Sequence, residues 1–272
     1  MTEQQTRTVT KKETHLPTAS LFEADAHSGF QNMDQSDLAL PFLRILGQLS
    51  PQVNERDSKY VEGAKAGMIF NTVTSELYDG IKGINVIPCH YKREYVEWTD
   101  RGEGTGAPVA VHSATSPIIH EATRDSMNKD RLKNGNYLEN TASYFVLVTK
   151  DNSAETALIT MKSTQLKLSK TWNSMMNGLK LQGKNGLFTP PMFSHVYNLK
   201  TVQQSNDKGT WFGWAVSKVG PVQNQALYEQ AKDFAKSVGS GEIQAKHAKE
   251  EKRTYRFSQT EGASAPFLIE GE

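Results

Sequence analysis

The 272-residue chain has one cysteine, Cys89, which excludes an intrachain disulfide framework and any cysteine-based zinc site and fits a reducing compartment. It has no run near the roughly 20 apolar residues needed to cross a bilayer, and its first twenty residues lack the apolar core of a signal peptide. A soluble protein with no membrane association is expected. The hydrophobic share of 37% is below the roughly 45 to 50% of ordinary globular chains. That deficit points to a folded centre diluted by polar ends. The third scarcity is local. Residues 156–206 contain no Asp and no Glu, although the chain holds 30 acids and an unbiased run of that length would hold five or six. The same stretch contains Lys162, Lys167, Lys170, Lys180, Lys184 and Lys200, about +6 in a protein of net charge +1. A solvated face ordinarily mixes both signs, so this patterning implies an anionic partner, while the near-zero total excludes a uniformly basic binder.

What is present suggests three regions: a flexible arm over 1–36, one core over 37–239 and a flexible tail over 240–272. The arm is rich in Thr, Gln, Ser and His, and its few apolar residues cannot offset the entropy of ordering. In the core, Leu38, Phe42, Ile45, Leu46 and Leu49 recur at near-helical spacing between Asp37 and Pro51, which predicts a short docked helix. Strand-like runs follow from Met68. GINVIPCHYKREYVEWT reads as a long strand with Pro88 at an edge or bulge, and its alternation sets Tyr91, Arg93 and Tyr95 on one face. A polar excursion covers 120–140. TASYFVLVTK and ETALITMK then form a hairpin about Asp151, Asn152 and Ser153.

The spacing predicts a helix from Ser163 or Thr164 to about Leu181, with Leu168, Trp172, Met175, Met176 and Leu179 as its buried stripe. GKNGLFTPP reads as a loop able to approach a ligand closely. MFSHVYNLKTV and WFGWAVSKV make a second hairpin, in which Phe212, Trp214 and Val216 form the core-facing set and Trp211 faces away. QNQALYEQAKDFAKSVG reads as an amphipathic helix. The pattern is α+β: an antiparallel β-core elaborated by two or three helices, with flexible arms.

Enzymatic readings fail on their residues. The string from Gly178 to Asn185 comes within one residue of a phosphate-binding loop, but Asn185 stands where a magnesium-binding hydroxyl is needed, and the element closes a helix instead of opening one. The seven histidines make no metal-ligand spacing, so no metal and no cofactor are expected. Cys89 on a strand reads as a small buried hydrophobe, and no serine sits in a nucleophile elbow. No catalytic residue is expected. Lysines interleaved with aromatic rings instead suit phosphate contact combined with base stacking. Tyr91, Tyr95, Trp172 and Trp211 are the ring candidates, and Arg93 can stack or hold a phosphate. Lys167, Lys170, Lys180, Lys184 and Lys200 are the candidate phosphate ligands. Trp172 has a competing assignment as core.

The strings YDGIKGINVIPCHYKREYVEW, MKSTQLKLSKTWNSMMNGLKLQGKNG, FTPPMFSHVYNLKTV and GTWFGWAVSKVGPV resemble the single-stranded DNA-binding proteins of tailed-phage replication modules, over about residues 38–238. The resemblance implies an OB-type β-barrel and a non-catalytic role in replication or recombination, with single-stranded DNA as partner in the cytoplasm of an infected bacterium. It also implies a C-terminal tip contacting phage replication proteins, here Phe267, Leu268, Ile269, Glu270 and Glu272. This tip is short of acids, and Phe267 is not terminal. Self-association is compatible with this reading. The alternative is a virion structural or assembly protein whose basic face meets an acidic partner.

Overall fold

The computed structural model describes residues 22–23, 25–26, 28–33, 37–100, 102–104, 106–150, 153–207 and 209–247. Most of the expected N-terminal arm, the Asp151-Asn152 turn and the tip residues from Phe267 to Glu272 lie outside the described residues. Residues 1–38 and 39–272 form two units. The described residues of the first make local turns, with the Asp25 N–H donating to the Phe22 carbonyl and that of Met33 to Phe30. All strands and both helices named below belong to the second.

The region expected to be a helix is instead a strand. β1 (Leu43–Ile45) pairs antiparallel with β2 (Ile69–Asn71), which pairs with β3 (Leu77–Tyr78). The helical spacing there is overridden by pairing partners distant in sequence. The Leu158 N–H donates to the Pro41 carbonyl and Phe42 bridges to Leu158, which draws the segment out straight. Leu43 and Leu46 are buried, while Leu49 is exposed.

The main sheet is antiparallel and curled into a half-barrel. Its central strands are β4 (Ile84–Trp98) and β8 (Tyr137–Lys150). Around them run β5 (Ala110–Ser113) beside β4, β6 (Thr123–Arg124) and β7 (Asp130–Arg131) beyond one end of β8, and β9 (Ser153–Lys162) along the other. After β9 come α1 (Leu166–Asn177) and a small separate hairpin, β10 (Leu181–Gly183) with β11 (Gly186–Phe188). The hairpin of β12 (His195–Asn206) and β13 (Gly209–Pro221) then joins the free side of β4, and α2 (Gln225–Ser240) completes the core. Pro88 sits at a bulge where the register shifts between Pro88 and His90, so a residue without an N–H is accommodated within a central strand.

The core has two layers, one on each face of the sheet. On one face, Tyr144, Val146, Ile159, Met161, Tyr197, Leu199 and Trp214 pack around Trp172 and Met176 of α1. On the other, Phe145, Leu147, Ile87 and Cys89 pack against Ala231, Phe234 and Val238 of α2. Helical cover on both faces explains why residues 141–148 of β8 are all buried and read as a nearly continuous apolar run instead of an alternating one.

The helices are held differently. Asn224 caps α2 by accepting from the N–H groups of Ala226 and Leu227, worth about 1 kcal/mol, and Gly241 ends it in the left-handed conformation at φ 88°. α1 is shorter than expected and has no side-chain cap: Ser163, at φ 50°, begins a 3-10 turn instead. Its support is tertiary, since Tyr144 Oη bonds the Ser169 hydroxyl at 2.8 Å and donates to Asn173 Oδ1 at 2.9 Å. Of the tail expected from 240, only residues up to 247 are among those described, and they lie against the core. Ile243 and Ala245 pack against the α2 layer, and His247 reaches Glu94 Oε2 at 3.3 Å.

Candidate nucleic-acid interface

The outer side of α1 is the best-formed part of the expected site. With Trp172 and Met176 facing the sheet, the helical period leaves Lys167, Lys170, Thr171, Ser174 and Asn177 exposed. Lys180 follows the helix, its Nζ donating to Thr189 Oγ1, and Lys184 stands at the two-residue turn between β10 and β11. Lys167, Lys170, Lys180 and Lys184 have no carboxylate partner among the described residues. Lys162 differs from them, because its Nζ lies 2.9 Å from Glu139 Oε2.

Lys200 does not join this group. Leu199 and Thr201 on either side of it are buried, Leu199 in the α1 layer, so strand alternation sends Lys200 out from the opposite face of the sheet. The acid-free run is therefore two surfaces.

The ring candidates separate as clearly. Trp172 is 0% exposed, stacked on Tyr144 at 4.4 Å between centroids and edge-on to Tyr197 at 5.7 Å. It is a core residue in this fold, and no base can reach it. Tyr91 is half-buried against Tyr144, with one side lining a cavity of about 350 Å³ shared with Asn173, Met176 and Pro190. Tyr95 is half-buried at the wall of a cavity of about 590 Å³. Arg93 is exposed and held locally: Nη2 donates to Tyr95 Oη at 2.9 Å and Nε to Asn140 Oδ1 at 3.2 Å. The expected shared face of Tyr91, Arg93 and Tyr95 is present, as a row braced by its own contacts.

Trp211 is the ring that the fold prepares most fully. Its Nε1 donates to Gln204 Oε1 at 2.9 Å, Gln165 Nε2 donates to the same oxygen at 3.3 Å, and Gln165 Oε1 accepts from the Trp214 N–H at 2.8 Å. This chain of amides fixes a half-exposed indole beside the start of α1. The ring borders two cavities, one of about 420 Å³ with Lys162, Gln165 and Phe212, the other of about 310 Å³ with Thr164, Asn206 and Thr210. Gln165 and Gln204 carry no signal in sequence, because their role depends on contacts across 39 and 49 residues.

The predicted GKNG loop is the tip of the β10 and β11 hairpin. An available signal was the Asn185-Gly186 dipeptide between apolar residues, a strong short-range hairpin pattern. This geometry also disposes of the phosphate-loop reading, since no helix begins at Lys184.

Elsewhere the ionisable groups serve the structure. Cys89 is buried, and burial pushes its thiol up to about 12. Glu97, 4% exposed, accepts from His112 Nε2 at 2.8 Å and from the side-chain amides of Asn134 and Asn136. Burial pushes its carboxyl up, but these hydrogen bonds outweigh that and hold it below the ordinary carboxylate range. Among the described residues no group of three or more His, Cys, Asp or Glu side chains is arranged to hold a metal, and no helix is long and apolar enough to cross a membrane.

The molecule is thus defined as an antiparallel β-protein with a helix on each sheet face and, along one of them, ammonium groups that have no carboxylate partner among the described residues. Within that class the chain belongs to the Pam3 phage gp34-like protein family, whose model matches residues 10–244, and this associates it with bacteriophages. No curated protein and no solved structure matches it.

Proposed function

We propose that this chain is a non-catalytic single-stranded DNA-binding protein of phage replication or recombination, built on an elaborated OB-like core and acting in the host cytoplasm. One observation carries the reading. Four ammonium groups with no carboxylate partner among the described residues, Lys167, Lys170, Lys180 and Lys184, lie along and just beyond the outer side of one helix, and the braced indole of Trp211 stands at that helix's start. Such a surface holds phosphates electrostatically and offers a ring face to any base, which is binding without sequence readout. The 12 residues of α1 span about 18 Å, so the contacts suit an extended strand better than a single nucleotide. The curled antiparallel sheet supports the OB-like assignment.

The test is a tryptophan-fluorescence titration with poly-dT at several salt concentrations. Stacking on Trp211 should quench emission. Four engaged lysines should give a slope of log affinity against log salt near −3, from roughly 0.7 per phosphate on single strands. A salt-independent affinity, or no binding of oligonucleotides alongside recovery of the protein from purified virions, would assign the basic face to an acidic protein partner instead.

A further inference from the structure

The hairpin of β10 and β11 is the one pair of strands among the described residues that joins neither larger sheet. It pairs only with itself, through Leu181 with Phe188, Gln182 with Leu187 and Gly183 with Gly186. An isolated two-stranded hairpin is marginal in water. This one also exposes three large apolar side chains: Leu187 is 71% exposed, Phe188 47% and Leu181 41%. Keeping that surface in solvent forgoes burial worth about 25 cal/mol per Å², so the exposure calls for a partner.

Its shape and charge indicate which partner. Alternation puts Leu181 and Phe188 on one face and Leu187 on the other. Beyond Phe188, its own face carries only Gly183 and Gly186, and a Cβ at Gly183 would approach the Phe188 ring to 3.1 Å. The arm is therefore thin at the tip, where only Lys184 and Asn185 add side chains, and broad and apolar along its shaft. Its base is defined by few contacts. Gly178 ends α1, Lys180 Nζ bonds Thr189 Oγ1 across the base of the arm, and Pro190 and Pro191 fix the exit. No acid lies within residues 156–206 to repel a phosphate. A tip that leads with an ammonium group and is followed by a phenyl ring and a leucine on opposite faces matches the wedges that proteins insert between base steps.

We infer that this hairpin is a strand-separating wedge, with Lys184 engaging the backbone at a junction between duplex and single strand while Phe188 and Leu187 replace the lost stacking of the opened pair. The inference rests on the single-stranded DNA reading and adds to it: the protein opens duplex ends as well as coating strands that are already free. No bond is made or broken, because the work comes from binding the opened form more tightly than the closed one.

The experiment follows a forked duplex labelled with a fluorophore and a quencher on opposite strands, with poly-dT affinity measured in parallel. The proteins are the full chain and its Leu187→Ser, Phe188→Ser double variant, whose exposed positions leave the core untouched; far-ultraviolet circular dichroism checks the fold. Wild type should open the fork. The double variant should open it at least tenfold more slowly, with poly-dT affinity within twofold of wild type, and Lys184→Ala should fall between them. Equal opening by wild type and double variant overturns the wedge, as does no opening by a wild type that binds poly-dT. A parallel loss of poly-dT affinity would make the hairpin an ordinary part of the coating site. A change in sedimentation without a change in opening would make it a contact between copies of the chain. If wild type binds no poly-dT, the single-stranded DNA reading itself has failed, and the titration shows that separately.

Discussion

α1 and α2 lie on opposite faces of one sheet and bury the same kind of stripe, yet their outward sides differ. α1 turns Trp172 and Met176 inward and shows Lys167 and Lys170 to solvent with no acid among them. α2 turns Ala231, Phe234 and Val238 inward and shows Glu229, Lys232, Asp233 and Lys236, with Lys232 Nζ 3.2 Å from Glu229 Oε2. A face of mixed sign neutralises itself and needs only water. Two lysines three apart on a helix repel by a few tenths of a kcal/mol, and no acid among the described residues pairs with them. The inner stripes record how the protein folds. The outer side of α1 carries a cost that folding does not explain, which is why the candidate interface is placed there.

The comparison can be broken or sharpened by experiment. The largest effect is expected inside, where the helices should behave alike. Trp172→Ala and Phe234→Ala should each lose about 3–5 kcal/mol in denaturant unfolding, and a Trp172 variant costing under about 1 kcal/mol would mean that this ring does not pin α1. Next comes Trp211→Ala, which should weaken oligonucleotide binding by about 1–3 kcal/mol, the range for one stacked base, while stability barely moves. Phe substitution there should retain most of the affinity, since a ring remains.

Outside, the helices should diverge. Lys167→Glu with Lys170→Glu should flatten the salt slope by about 1.4, from roughly 0.7 per lost phosphate contact, whereas Lys232→Glu with Lys236→Glu should leave it in place. Both pairs should hold stability within about 0.5 kcal/mol. Equal slopes for the two pairs would dissolve the distinction between the faces.

The smallest effect concerns pH on the α2 side. The hydrogen bond from His247 holds the Glu94 carboxyl below its ordinary value, against the upward push of burial. A carboxyl depressed in the folded state stabilises above its unfolded value of about 4.3 and loses that contribution as pH falls through the lower folded value. Hydrogen exchange should therefore show residues 243–247 loosening below about pH 4 before α1 does. Glu94→Gln should remove that pH dependence.

Much of this architecture could be read from the chain. The long strand through Pro88, both large hairpins, the α2 helix and the burial of Cys89 all follow from period-two alternation, turn residues and apolar spacing. α1 itself was legible, but its ends were not: Ser163 and Thr164 look like caps, and Leu179 extends the stripe, whereas packing on Tyr144 limits the helix to Leu166–Asn177. The segment around Leu43 was misleading because a helical spacing of five apolar residues fits equally well a short strand drawn out by Leu158. Of the candidate site, the lysines of α1 and of the hairpin were legible as charge, and Trp211 as a ring. Phe188 is legible as a ring within the basic run, but not its place on a hairpin, since GKNGLFTPP reads as a loop.

By itself the sequence determined what depends on neighbours along the chain: strand and helix periods, turn chemistry, and the absence of acids over residues 156–206. Only the tertiary structure decided which face each residue serves. It sent Lys200 to the far side of the sheet, sealed Trp172 beneath Tyr144, and braced Trp211 through Gln204 and Gln165. Those outcomes depend on contacts between residues tens of positions apart, and packing a sheet between two helices fixes such contacts only when the whole chain closes.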